Sequence, residues 1–134
     1  MKINVEEVVK HARDLSQVGN EPEARVVLND LLLTEPDYVP ALLILGGSYF
    51  CEGLYEDAES VFRKLVSVAP GLGEASVAFF NTLWKQNKKD PALQEIKRFT
   101  SVADKEVEKQ TIQDYQSLIK QLDCKRPNVS RSFY

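Results

Sequence analysis

Histidine, cysteine and tryptophan are nearly missing from this chain, with one His, two Cys and one Trp in 134 residues. Metal and thiol chemistry therefore has little to draw on. Cys51 and Cys124 stand far apart with no metal-ligand spacing, and reduced thiols in a cytoplasmic protein are the expectation. No HExxH, CxxC, GxSxG or glycine-rich phosphate loop occurs. No apolar stretch approaches the ~20 residues that cross a bilayer, and the best candidate, Ala41 to Leu45, is a turn and a half of helix. Met1-Lys2-Ile3-Asn4-Val5-Glu6-Glu7 turns acidic at once, so no secretory leader is expected. A surplus of cations is lacking too, since the net charge is −3, which argues against a nucleic-acid partner. These absences point away from catalysis, cofactors, membranes and nucleic acid.

What is present is an ordinary globular composition, 43% apolar and 28% charged, in a length that suits one domain. The charge is uneven. Residues 1–72 carry 6 Lys/Arg against 12 Asp/Glu, and residues 73–134 carry 11 against 8. An acidic front and a basic back are a means of stacking molecules end to end or of orienting a partner.

The sequence also repeats itself. A shift of 34 residues lays Gly19 on Gly53, Ala24 on Ala58 and Ala92, and Leu28 on Phe62 and Ile96. The same shift lays Leu31 on Leu65 and Phe99, Pro36 on Pro70, and Ala12 on Gly46 and Phe80. In the middle unit Leu42, Leu45, Gly46 and Tyr49 form one helical stripe at i, i+3, i+4 and i+7. Gly53 then supplies a helix stop. A second helix, Tyr55 to Val68, places small Ala58 and large Val61, Phe62 and Leu65 on one face. Pro70 ends the unit, because proline cannot continue a helix and disfavours helical geometry just before it. Asp90-Pro91 reads as a cap and first-turn proline for the second helix of the third unit. Beyond it, Ile112, Tyr115, Ile119 and Leu122 predict one more helix over about 104–122, of the kind that closes a repeat stack. Residues 124–134 have no periodicity and are expected to form a mobile basic and aromatic tail.

With Leu42, Leu45, Gly46, Tyr49, Gly53, Tyr55, Ala58, Phe62 and Pro70 in place, the middle unit resembles the tetratricopeptide repeat. The first unit, 5–38, shares Ala12, Gly19, Ala24 and Pro36, and departs at His11 and Glu21. The third, 73–104, keeps Ala92, carries bulky Phe80 where a small residue belongs and has no closing proline. The resemblance implies an all-α, right-handed superhelix of antiparallel helix pairs, about seven helices within a single domain over 1–123. His11 shares the register of Leu45 and is expected to be a partly buried structural residue. Gly71-Leu72-Gly73 is explained by turn chemistry. The acidic group Glu52, Glu56, Asp57 and Glu59 is explained by a helix N-terminus, where negative charge complements the dipole.

In such a stack the first helices line a concave groove that holds peptides. By register the inward positions are Val9, Lys10, Arg13 and Gln17, then Leu43, Ile44, Gly47, Phe50 and Cys51, then Val77, Ala78, Asn81, Trp84 and Lys85. Leu43, Ile44 and Phe50 are surplus to the packing stripe of their helix, which suggests a sticky face. Family members that grip acidic chaperone tails use basic and amide groups at the positions of Val9, Arg13, Ile44, Glu74 and Ala78. Only Arg13 is cationic here and Glu74 would repel a carboxylate. The expectation is therefore an adaptor or chaperone-like protein that binds an apolar helix or segment, not an enzyme. Trp84 is its candidate aromatic anchor. Two other occupants stay open for the apolar face: a second copy of the chain, or its own tail with Phe133 and Tyr134.

Overall fold

The computed structural model describes residues 4–125. Residues 126–134, including Phe133 and Tyr134, lie outside the described part. Within it the chain is an all-α solenoid of seven helices: α1 (Val5–Gln17), α2 (Glu21–Thr34), α3 (Val39–Cys51), α4 (Tyr55–Val68), α5 (Gly73–Lys85), α6 (Lys89–Val102) and α7 (Lys109–Lys125). Helices this short are marginal alone and owe their stability to packing of their apolar faces.

Each pair is closed by one device. Gly19, Gly53 and Asn87, spaced by 34 residues, all adopt left-handed backbone, with φ of 84°, 76° and 62°. After each of them the chain bonds back to the helix it has left: the N–H groups of Asn20, Leu54 and Lys88 donate to the carbonyls of Leu15, Tyr49 and Leu83 at 2.8, 2.9 and 3.0 Å. Asn87 is thus the third helix stop, and α6 starts right after it at Lys89. Asp90 consequently stands in the first turn and not at the cap, and no side chain caps this helix. Asparagine tolerates the left-handed region better than most residues.

Packing inside each pair trades size between two registers. Ala12 faces the level of Leu28, Gly46 that of Phe62, and Phe80 that of Ile96. At Gly46 a Cβ would fall onto the Phe62 ring. The third unit reverses the arrangement, placing its large ring on the first helix and a smaller residue on the second. Bulky Phe80 therefore fits, 6% exposed and stacked 5.5 Å from Trp84. The core forms two clusters. One is built around Val9, Ala12, Leu28, Leu31, Ala41 and Leu45, and the larger one runs from Leu42 to Tyr115. Leu32, Tyr49 and Val61 touch both.

Polar staples tie neighbouring units together. At the first junction Arg25 reaches from α2 to Glu52 (2.7 Å) and Ser48 (3.0 Å) and lies over the Tyr49 ring. At the second, the same register holds Glu59, which accepts from Gln86 (2.9 Å) and pairs with Lys88 (2.7 Å) and Arg63. Burial pulls the Glu59 carboxyl up, but the hydrogen bonds from Lys88, Gln86 and Arg63 outweigh it and hold the pKa below its ordinary value. Buried Glu95 takes a two-pronged grip from Arg98 at 2.6 Å, and Arg98 also donates to the Pro70 carbonyl (2.8 Å).

The last helix begins later and ends later than its periodicity suggests. Where the other units carry proline, Asp104 accepts the N–H groups of Glu106 and Val107 at 2.9 and 3.0 Å. The Val107 and Glu106 N–H groups hold its carboxyl below the usual range. The turn 105–108 follows, and α7 runs from Lys109 to Lys125, so the expected tail boundary at 124 moves into the helix. The insertion lengthens the repeat step to 36, which places Tyr115 under Phe79, Ile119 under Leu83 and Leu122 under Gln86. Tyr115, 4% exposed, packs edge-on against Phe80 and Phe99, and its hydroxyl meets Ser76 Oγ at 2.7 Å.

Candidate peptide-binding groove

The first helices of the second and third pairs, α3 and α5, flank a hollow of about 470 Å³. Leu43 and Gly47 from α3 and Val77, Ala78 and Asn81 from α5 line it together. Phe62 reaches its floor, and Glu74, Gly73 and Thr111 complete the wall. Five of the residues assigned by register to a groove are thus gathered in one place. Leu43, Val77 and Ala78 are half-buried, each resting one flank on the larger core cluster. A Cβ on Gly47 would meet nothing within 4 Å. Its neighbour in sequence, Gly46, is packed against a ring, whereas Gly47 faces open space.

The remaining register positions lie elsewhere. Val9 is buried, 5% exposed, in the smaller cluster, and Ile44 packs half-buried against that cluster. Lys10 is exposed and pairs with Asp14 at 3.7 Å, while Arg13 and Gln17 are exposed on α1. Phe50 and Trp84 share one register and one role. Each packs against the first residue of the following helix, Phe50 edge-on to Tyr55 at 5.2 Å and Trp84 beneath the Lys89 ammonium at 5.4 Å. Both are half-buried, and neither lines the hollow. Cys51 and Lys85 are exposed beside them.

Three expectations are corrected. His11 is exposed: Leu45 at its register is covered by α1, whereas no described helix covers the corresponding flank of α1. Gly73 is no turn residue, since it opens α5, and a Cβ there would collide with Glu108 and stand 2.5 Å from Thr111 Oγ1. It lets the α7 segment approach and close one side of the hollow. The acidic group is only partly a helix-dipole effect, for Glu56 and Asp57 sit in the first turn of α4 while Glu52 and Glu59 belong to the inter-unit staples. Among the described residues, no three His, Cys, Asp or Glu side chains converge as a metal site, and no helix is long and apolar enough to cross a membrane.

Thr111 was not legible as a lining residue, because its position depends on the two-residue insertion before α7. Glu74 is the one charged side chain in the lining, so the hollow combines an apolar floor with a single carboxylate, one amide and one hydroxyl.

No protein-family model matches the chain, and no curated protein matches it in sequence. Among solved structures it is similar to the crystal structure of MamA, a tetratricopeptide-like protein, with a TM-score of 0.68. Sequence identity is 14%, and the match covers 91% of this chain and 80% of the other. The likeness is one of fold: the helices stack in a tetratricopeptide-like solenoid architecture.

Proposed function

We propose that the chain is a protein-interaction scaffold in the cytoplasm, which binds an apolar helix or peptide segment of a client in the α3/α5 hollow and catalyses no reaction. Gly47 is the observation that carries this reading. A glycine inside a helix costs about 0.5–1 kcal/mol relative to alanine, and no crowding excuses it here. What the missing side chain leaves is room above an apolar floor, in a solenoid of a type suited to holding polypeptides. The lining is sparse in reactive groups, which supports binding over chemistry: Glu74 is its one titratable side chain, and its one hydroxyl, on Thr111, donates to the Glu108 carboxylate at 3.3 Å.

The test is affinity capture from the native cell with the wild-type chain and two variants, Gly47→Leu, which fills the hollow, and Leu43→Asp, which makes its floor polar. Both are expected to remain helical by circular dichroism and to lose the client. Retention of the same client by both variants would rule out the hollow as its site.

Head-to-tail self-association, suggested by the acidic front and basic back, is the alternative. In residues 73–123 cations and anions balance at 8 each, so the surplus belongs to Lys125, Arg126 and Arg131. Up to Lys125, the end of α7, the back half carries one cation in excess, and the client reading is preferred. A sedimentation mass that falls towards the monomer as salt rises would favour stacking instead.

A further inference from the structure

We propose that the cleft between α6 and α7 is a second docking site, which takes an amphipathic helical segment of a partner polypeptide with aliphatic side chains beside a Lys or Arg. Comparison of equivalent positions along the solenoid carries this. The register that joins second helix to next first helix holds Arg25 with Glu52 at one junction and Glu59 with Gln86 at the next, both directly bonded. At the third junction it holds Leu93 and Leu122. The staple has become a pair of aliphatic side chains, and between them lies an open cleft of about 390 Å³ with Ile96 and Ile119. Ile119 is left 40% exposed.

Chemistry and position name the occupant. Exposed Asp90 and Asp123 both line the cleft against a single cation, Lys97. Neither carboxylate is in an ion pair among the described residues. An apolar seat with carboxylates around it complements a basic amphipathic segment. The seat is also built for a helix. α1, α3 and α5 are each followed by an antiparallel partner, α7 stands where the next first helix belongs, and the cleft lies along its flank beside α6, where ridges of a further helix can seat.

The test uses the full chain and two labelled amphipathic peptides of about four helical turns, one of Leu and Lys and one of Leu and Glu, titrated by fluorescence anisotropy. The Leu/Lys peptide is expected to bind and the Leu/Glu peptide to bind at least about tenfold more weakly. L93R/L122E transplants the polar pair of the first junction and should abolish binding while the circular-dichroism spectrum and Tm are kept. D90K/D123K, at exposed positions, should reverse the preference between the peptides. Leu43→Asp in the α3/α5 hollow should leave this binding unchanged, which separates the two sites. Equal binding of both peptides, or unaltered binding by L93R/L122E, overturns the proposal. So does a native dimer that L93R/L122E converts to monomer, which assigns the cleft to a second copy. Tighter peptide binding by F133D/Y134D would likewise assign it to the chain's own C-terminal residues.

Discussion

Two adjacent glycines in one helix do opposite things here. Gly46 is a contact, because the Phe62 ring occupies the place of its side chain, and Gly47 is a gap. Gly46→Ala is therefore expected to destabilise the chain by roughly 1–3 kcal/mol through overpacking. Gly47→Ala should stabilise it by about 0.5–1 kcal/mol by removing backbone entropy from the unfolded state. Urea unfolding of the two variants beside the wild type checks both signs. Tyr115 gives a second expectation at this scale. Burial pushes its phenol up to about 12, against the opposing pull of the Ser76 hydrogen bond. The folded state keeps this proton above pH 10, where the unfolded chain releases it. The associated stability is whole below about pH 10 and is lost as pH rises towards 12. The wild-type urea midpoint should fall across that interval more steeply than that of Tyr115→Phe.

Elements in this molecule are set by their punctuation. The left-handed residue after α1, α3 and α5 fixes where each helix ends, and two of the three were readable as glycines. The third was not, because Asn87 does the same work with a side chain, and the neighbouring Asp90-Pro91 offered a more familiar start signal. Asn87→Gly should leave stability unchanged or slightly raised. Asn87→Ala should cost roughly 1 kcal/mol, because alanine lacks the short polar side chain that makes left-handed backbone tolerable for asparagine, readable as a drop in Tm. The same reasoning explains the misplaced start of α7. Its stripe of Ile112, Tyr115, Ile119 and Leu122 was plain in the sequence. The Asp104 turn that replaces proline and delays the helix to Lys109 depends on two side-chain-to-backbone bonds that leave little periodic trace.

At the scale of the whole molecule the fold was legible because one pattern of small, large and stop residues recurs every 34 positions, and because stacked repeats meet only their neighbours. The groove was legible in its middle and not at its edges. Leu43, Gly47, Val77, Ala78 and Asn81 share a hollow because α3 and α5 are flanked on both sides and keep regular spacing. Register alone failed for Val9, which lies under the contact between α1 and α3, and for Phe50 and Trp84, whose rings turn to the helix that follows them. It had no means of finding Thr111, which comes from beyond the periodic region.

The split of the apolar interior has a mechanical meaning. Leu32, Tyr49 and Val61 are the side chains that belong to both clusters, while Ala41 and Leu45 of α3 are buried in the smaller one, so α3 is seated in both and Arg25 ties α2 to it. Leu43, Gly47, Val77, Ala78 and Asn81 all stand on helices of the larger body. One wall of the hollow, α3, is thus braced from behind by the front pair, and loosening α1 and α2 would slacken the socket that they back.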